Sequence, residues 1–559
     1  MPQNKISDRI IPALLFSDGL VSILFAISAY SLGFDLDPDW GKSRVILFFI
    51  GLVLVSASIF LFMRKPAFTK SEAIKSLTLF GHVLVFIFAI YAFFITFGTF
   101  TTWRASTQYY TLLANAFGKG QLNVDVDPGQ ALLNSKDPYN PDTGRSFNDD
   151  VWDLSFYKGK LFLYWGPVPA LLITPVQLIT KTKVTDMYLV YFFLCGLLVF
   201  NSLILLKLRQ LFFPNISTQN VVLAIFIIGL IMPVLWSLNV PDVYEAAIGA
   251  GQFFLIGGVY FSILAFEGNI SKKYLFLTGL FWACSVGSRA INVFPILFMV
   301  ALTAFWVWKN QSKPINWNAL IRLAASLLTP LALGAIIIGW YNWARFDSPL
   351  EFGLRYQITI HNLNRDMSLT FQPDYFPFNF YAYLFQPFQF VSKFPFIRPI
   401  EIYSLIKPLN IPSPKLFAGG PVTGILFSMP FLLLAFRPFF SNKTKENNQS
   451  GDLEIRNFTL YLLSGSFLIT FVTILVYFYE QTRFMLDLIS QVTLLAVIGY
   501  WMVISNAKSS KVPLRISTIL IAITLVVSIL LSFTSEGNRM EKLNPVLMER
   551  INSFLTLQK

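Results

Sequence analysis

Asp153 stands among aromatic residues, in the run Trp152-Asp153-Leu154-Ser155-Phe156-Tyr157, just ahead of a proline-rich apolar stretch. A carboxylate in such a place can take the proton of an attacking hydroxyl, which makes Asp153 the candidate general base. The plainer alternative is a solvated loop acid or a helix cap. Arg289 interrupts two apolar runs, Tyr274–Gly287 and Ala290–Trp308. A guanidinium at mid-membrane costs about 2.5–3.5 kcal/mol, so it is expected to face a cavity or a partner. Arg483 and Asp487 are four apart at the start of another apolar run. They could form an intrahelical ion pair worth about 0.3–0.5 kcal/mol, or Arg483 could grip a phosphate with Asp487 orienting it. Arg345 with Asp347, and Glu351 with Arg355, carry the same two readings. Asp242 and Glu245, three apart, could share a helix face and reach the same cavity, or cap it.

Other residues carry weaker signals. Asp125 and Asp127 alternate, as two ligands of a divalent cation on an extended strand would, but a solvated turn before Pro128 is the simpler reading. No resident cofactor is expected, with that cation as the one option. The two histidines, His82 and His361, offer no Ser-His-Asp set. His82 reads as packed and hydrogen-bonded inside a span, and His361 as an interface residue. Cys195 and Cys284 lie inside apolar runs and indicate neither a disulfide framework nor a metal site.

The elements that must position these groups are membrane spans. Hydrophobic residues make up 55% of the chain and charged ones only 13%, against about 25% charged in a soluble domain. The net charge of +13 does not point to nucleic acid, because Lys and Arg cluster in short loops between apolar runs, as the positive-inside rule requires. The fold class is therefore all-α, polytopic, with about thirteen spans of about 20 apolar residues each. Basic loops at Arg64–Lys75, Lys207–Arg209, Lys272–Lys273, Lys309–Lys313, Lys443–Lys445 and Lys508–Lys511 mark the cytoplasmic side. That places the N-terminus inside. The C-terminal tail and the long loops Gly98–Lys160 and Ala344–Ala418 lie outside. One run, Leu161–Ile179, breaks the parity. It contains Pro167, Pro169 and Pro175, and is expected to dip into the outer leaflet without crossing; a kinked full span is the alternative. The chain divides into an N-terminal helical pair (1–76), a core (77–504), and a last span with its tail (505–559).

The motifs come in a recognisable order. Tyr109-Tyr110-Thr111-Leu112-Leu113-Ala114-Asn115-Ala116-Phe117-Gly118-Lys119-Gly120 follows the third span as a helix ended by glycines. Tyr164-Trp165-Gly166-Pro167-Val168-Pro169 comes next, then Gly287-Ser288-Arg289, Tyr341 to Pro349, and Tyr479 to Asp487. From about Leu77 to Ile504 this order resembles the GT-C superfamily of membrane glycosyltransferases, which includes protein O-mannosyltransferases, the aminoarabinose transferase of lipid A and the bacterial RgtA/B/C/D-like group. The resemblance implies transfer of a sugar from a polyprenyl-phosphate-linked donor to a lipid, glycan or protein acceptor, at the outer face of a cell (inner) membrane. Such transfer would take Asp153, read above from its own setting, as the candidate base, with Arg289, Arg483, Asp487, Asp242 and Arg345 around the donor, in contact with membrane lipids. The superfamily usually carries an acid just ahead of the first outer helix; here Arg104-Ala105-Ser106-Thr107 has none. A catalytically silent member is therefore one alternative. A transporter or flippase of lipid-linked glycans is another, although the chain shows no repeat and its polar residues gather in the outer loops rather than at mid-membrane.

Overall fold

The computed structural model describes residues 6–35, 37–64, 71–103, 107–141, 151–311, 314–440, 450–506 and 511–556. Arg104, Ala105 and Ser106, the acids Asp142, Asp149 and Asp150, and the loop lysines Lys65, Lys70, Lys313, Lys443, Lys445 and Lys508 lie outside the described residues.

The protein is all-α and polytopic. Among the described residues ten helices are long and apolar enough to cross a bilayer, or eleven if one bent pair counts as a span. The chain opens with α1 (Ile10–Ser28) and α2 (Lys42–Arg64), packed on each other, and α3 (Glu72–Ile95). The first long loop carries α4 (Tyr109–Gly118), the short α5 (Gln130–Leu133) and the hairpin β1 (Ser155–Tyr157)–β2 (Lys160–Phe162), and leads into α6 (Val168–Thr180). Then come α7 (Asp186–Phe212), α8 (Thr218–Leu230), α9 (Met232–Leu238), α10 (Val243–Ala265), α11 (Lys272–Ser288), α12 (Val293–Lys309) and α13 (Trp317–Phe346). After the second long loop the chain returns through α14 (Ser450–Leu475), α15 (Leu486–Ser505) and α16 (Val512–Ser532), and closes with α17 (Arg539–Leu543) and α18 (Pro545–Thr556).

Sequence explains the irregular members. α8 and α9 meet at a 50° bend. Pro233 lacks an N–H for the Gly229 carbonyl four residues back, and the Tyr91 hydroxyl from α3 donates to that carbonyl instead, at 2.8 Å. Two of the expected thirteen runs take other forms. Tyr274–Gly287 lies in the 17-residue α11. Gly419–Phe436 breaks into short helical pieces, Ile425–Ser428 and Pro430–Phe436. Irregular backbone at membrane depth needs protein partners; here the Phe431 N–H donates to Thr524 Oγ1 of α16 at 3.0 Å.

α6 behaves as its prolines predict. Its 13 residues are fewer than the roughly 20 that a span needs. It follows β2, and four residues past its end Thr111 Oγ1 of α4 donates to the Val184 carbonyl at 2.5 Å. Gln177 of α6 donates to Asn115 of α4 at 3.0 Å. Both ends of α6 therefore stay against the first long loop. The two long loops also pack on each other: Asp153 N–H donates to the Ile358 carbonyl and Ile358 N–H to the Leu154 carbonyl, each at 2.9 Å. Asn362 reaches Asp137 at 3.0 Å. Both loops thus share one face of the molecule. Toward the opposite face lie the ion pairs Lys207–Glu267 (2.6 Å) and Lys309–Glu454 (3.3 Å).

Candidate active site

Asp153 sits in a turn just before β1 in a left-handed conformation, φ +62°, uncommon for a residue with a Cβ. The loop-to-loop hydrogen bonds hold it there. Its side chain is 6% exposed, and Gln357 of the second loop donates to Oδ1 at 2.7 Å. Burial pushes the carboxyl up to about 6, while the Arg483 guanidinium and the Gln357 hydrogen bond pull it down. Asp153 is therefore buried and within electrostatic reach of a cation, neither a solvated loop acid nor a helix cap.

Arg289 follows α11 directly. Its Nη2 donates to Asp487 Oδ2 at 3.0 Å, and the carboxylate is fully buried. The guanidinium faces the rings of Trp165 and Phe484, at 5.7 and 5.6 Å, and its Nε is buried with no hydrogen-bond acceptor among the described residues. Two glycines permit this placement. A Cβ on Gly251 would lie 2.7 Å from Arg289 Cβ, and one on Gly166 would lie 2.1 Å from the Gly287 carbonyl oxygen. The second contact draws Trp165 up beside Arg289.

Arg483 lies 4.0 Å from the ring centroid of Tyr244 and 3.9 Å from Glu245 Oε1. Asp487, four residues on, is paired with Arg289. The expected Arg483–Asp487 unit is thus replaced by two pairings across helices, Arg289–Asp487 and Arg483–Glu245. The phenol of Tyr477 is in electrostatic reach of Arg289, Arg483 and Asp153, and burial pushes it up to about 12. Tyr164, also near all three, is held well above the ordinary phenol value, chiefly by burial. Both remain neutral donors at physiological pH.

The other expected site residues are engaged by protein partners. Asp242 receives both terminal nitrogens of Arg539, at 3.1 and 2.6 Å. Arg345 is spent on protein acceptors: the Leu163 carbonyl at 2.6 Å, Asn342 Oδ1 at 2.7 Å and the Tyr341 carbonyl at 3.3 Å. It holds the strand end that leads to Tyr164, while Asp347 pairs with Lys158 at 2.6 Å. Asp125 pairs with Lys119 at 2.6 Å, and Asp127 accepts from the Gly129 N–H at 2.9 Å, the turn geometry before α5. No group of three or more metal-type ligands occurs among the described residues. His82 Nδ1 meets the Thr78 carbonyl at 2.7 Å and Nε2 meets Asp18 at 2.6 Å. His361 packs edge-on against Phe478, 5.7 Å between ring centroids.

The second loop contributes Gln357 and Ile358 to the site. The rings around the arginines, Trp165, Tyr244, Tyr479 and Phe484, come from outside that loop. Two acids escape sequence reading. Asp186, fully buried, accepts from the N–H groups of Tyr109 and Tyr110 at the start of α4, each at 3.0 Å. Glu480 is fully buried and both carboxylate oxygens lack a hydrogen-bond partner among the described residues; burial, with Glu401 adding to it, raises it to about 8. An acid inside a Tyr-Glu-Gln run could have been flagged, but nothing local shows that it faces inward.

No protein-family model and no curated protein matches the chain. Among solved structures, the archaeal oligosaccharyltransferase AglB from Archaeoglobus fulgidus, in complex with an inhibitory peptide and a dolichol-phosphate, is similar at TM-score 0.39 and 15% identity, over 80% of this chain and 55% of that one. The apo form of the Archaeoglobus fulgidus oligosaccharyltransferase is similar at TM-score 0.39 and 12% identity, over 83% of this chain and 55% of that one. The chain spans about half the length of these structures.

Proposed function

We propose that this chain is a membrane glycosyltransferase of GT-C type that moves a sugar from a polyprenyl-phosphate-linked donor to a lipid, glycan or protein acceptor. The observation that carries the reading is the convergence of Asp153, Arg289 and Arg483, drawn from three distant parts of the chain, onto one partly buried cluster at the face where both long loops meet. In this reading Asp153 takes the proton of the acceptor hydroxyl as that oxygen attacks the anomeric carbon. The carbon–oxygen bond to the phosphate breaks, and Arg289 and Arg483 receive the charge on the departing group. Tyr164 and Tyr477 add neutral hydroxyls beside it. The membrane is a cell (inner) membrane, with the site on its outer side and the basic helix ends in the cytoplasm, as the loop charges indicate. The order of the motifs supports the superfamily over a flippase, and also its bacterial RgtA/B/C/D-like group.

The test is transfer of labelled sugar from short-chain prenyl-phosphate donors by the purified chain in lipid discs, comparing wild type with Asp153→Asn. Transfer by wild type and its loss in the variant support the reading. Equal transfer by both removes Asp153 as base. Donor movement between leaflets without any glycosidic product favours the flippase.

A further inference from the structure

A chain of hydrogen bonds runs behind the acid–arginine cluster and joins its two sides. At its centre Thr107 Oγ1 donates to Asp186 Oδ2 at 2.5 Å and accepts from the Val243 N–H at 2.9 Å. Asp186 in turn accepts the opening N–H groups of α4, which have no partner within the helix. From α4 the Tyr109 hydroxyl donates to the Trp152 carbonyl at 2.6 Å, one residue before Asp153. On the other side, Val243 is followed by Tyr244 and Glu245, the two residues facing Arg483. Asp242, the N-cap of α10, is clasped by Arg539 of α17.

We propose that Thr107, Asp186 and Arg539 are positioning residues: a strut from α17 through the starts of α10, α7 and α4 that sets Asp153 in its place relative to Arg483. The inference rests on the glycosyltransferase reading for its purpose, but not for its test. Thr107 is the node because one hydroxyl both donates and accepts; through it the start of α10 is tied to the acid that caps α4. Arg539 fixes the same end of α10 from outside with a two-pronged contact that a point charge does not reproduce. A purely capping role would change how much protein folds. It would not change the setting of the acid against the cation in the molecules that do fold.

The experiment compares Thr107→Val, Thr107→Ser and Arg539→Gln in the full chain in lipid discs. The Asp153 carboxyl is followed by its infrared band, identified by its loss in Asp153→Asn. Because a nearby cation favours the ionised form, Thr107→Val and Arg539→Gln should raise the midpoint by about half a pH unit or more. Thr107→Ser, which keeps the hydroxyl, should stay at the wild-type midpoint. Hydrogen exchange should rise about tenfold or more at both 151–158 and 243–248 in the first two variants, with 486–505 unchanged. An unshifted midpoint in folded Thr107→Val and Arg539→Gln, or faster exchange confined to 107–112, overturns the strut. If Thr107→Val does not fold, Arg539→Gln alone decides, since Arg539 lies at the surface end of the chain of bonds. Failure of the wild type to transfer sugar would remove the functional reading and leave these two measurements valid.

Discussion

Asp153 is held in a burial that disfavours its charge and beside a guanidinium that favours it. The burial wins, and the carboxyl rises from 3.8 to about 6. A base with that value is mostly ionised at neutral pH, so transfer should rise with pH through about 6 and level off above it. Asp153→Asn should lower the rate by about 10²–10⁴-fold and abolish this limb, read from single-turnover transfer between pH 5 and 8. The same shift bears on stability. The folded chain holds the proton more tightly than the unfolded one, so this carboxyl costs nothing below the ordinary Asp value. Its cost grows as pH rises and is complete above about 6, on the order of 3 kcal/mol. Asp153→Asn should therefore melt higher than wild type at pH 8, by a margin that narrows at pH 5. An inactive variant with no such gain would show that the carboxyl is not strained by its surroundings. Arg289 behaves in the opposite sense. Arg289→Ala leaves Asp487 buried without its cation and should cost about 3–5 kcal/mol of stability, whereas Arg289→Lys should keep the fold but weaken transfer, since a fork becomes a point charge. Melting curves beside donor KM values separate the two.

Helices and loops decide which of these residues were readable in advance. Charged residues stand out against apolar runs, so Arg289, Arg483 and Asp487 were visible, as was Asp153 among its aromatics. Their pairing was not. Spacing of four suggested Arg483 with Asp487, but α11 brings Arg289 to Asp487 and α10 brings Glu245 to Arg483, contacts that no local pattern encodes. Arg345 looked identical in sequence, yet its guanidinium closes on backbone carbonyls. Asp186 was hidden at the edge of an apolar run, where an acid ordinarily caps its own helix; here it caps α4 instead. The prolines of α6 were legible because they carry their effect locally. A reporter fused after Lys183 should accordingly read on the same side as the first outer loop; a cytoplasmic reading would mean that α6 crosses.

At the scale of the whole molecule, the two long loops form one body over the helices. In a variant lacking Cys195 and Cys284, single cysteines at positions 134 and 364 should both react with an impermeant thiol reagent from outside intact cells. Labelling at only one of them would contradict the hydrogen bonds that tie the loops together. The fold class was readable from composition, because lipid constrains nearly every residue of a span. The broken stretch after Gly419 was not, since its freed N–H depends on a threonine of α16, 93 residues away.

The clasp of Arg539 on Asp242 also has a meaning in the order of synthesis. The two residues are 297 apart. Around them, Asn544 donates to the Phe97 carbonyl, Arg550 to the Tyr30 carbonyl, and Asn552 accepts from the Phe394 N–H. While a ribosome is still making the preceding spans, the ends of α1, α3 and α10 have already been inserted and lack these partners. The end of the bundle that carries both long loops can be closed only after residues 539–552 have been made. A nascent chain arrested before residue 539 should hold every helix from α1 to α16 and still leave the start of α10 unclasped.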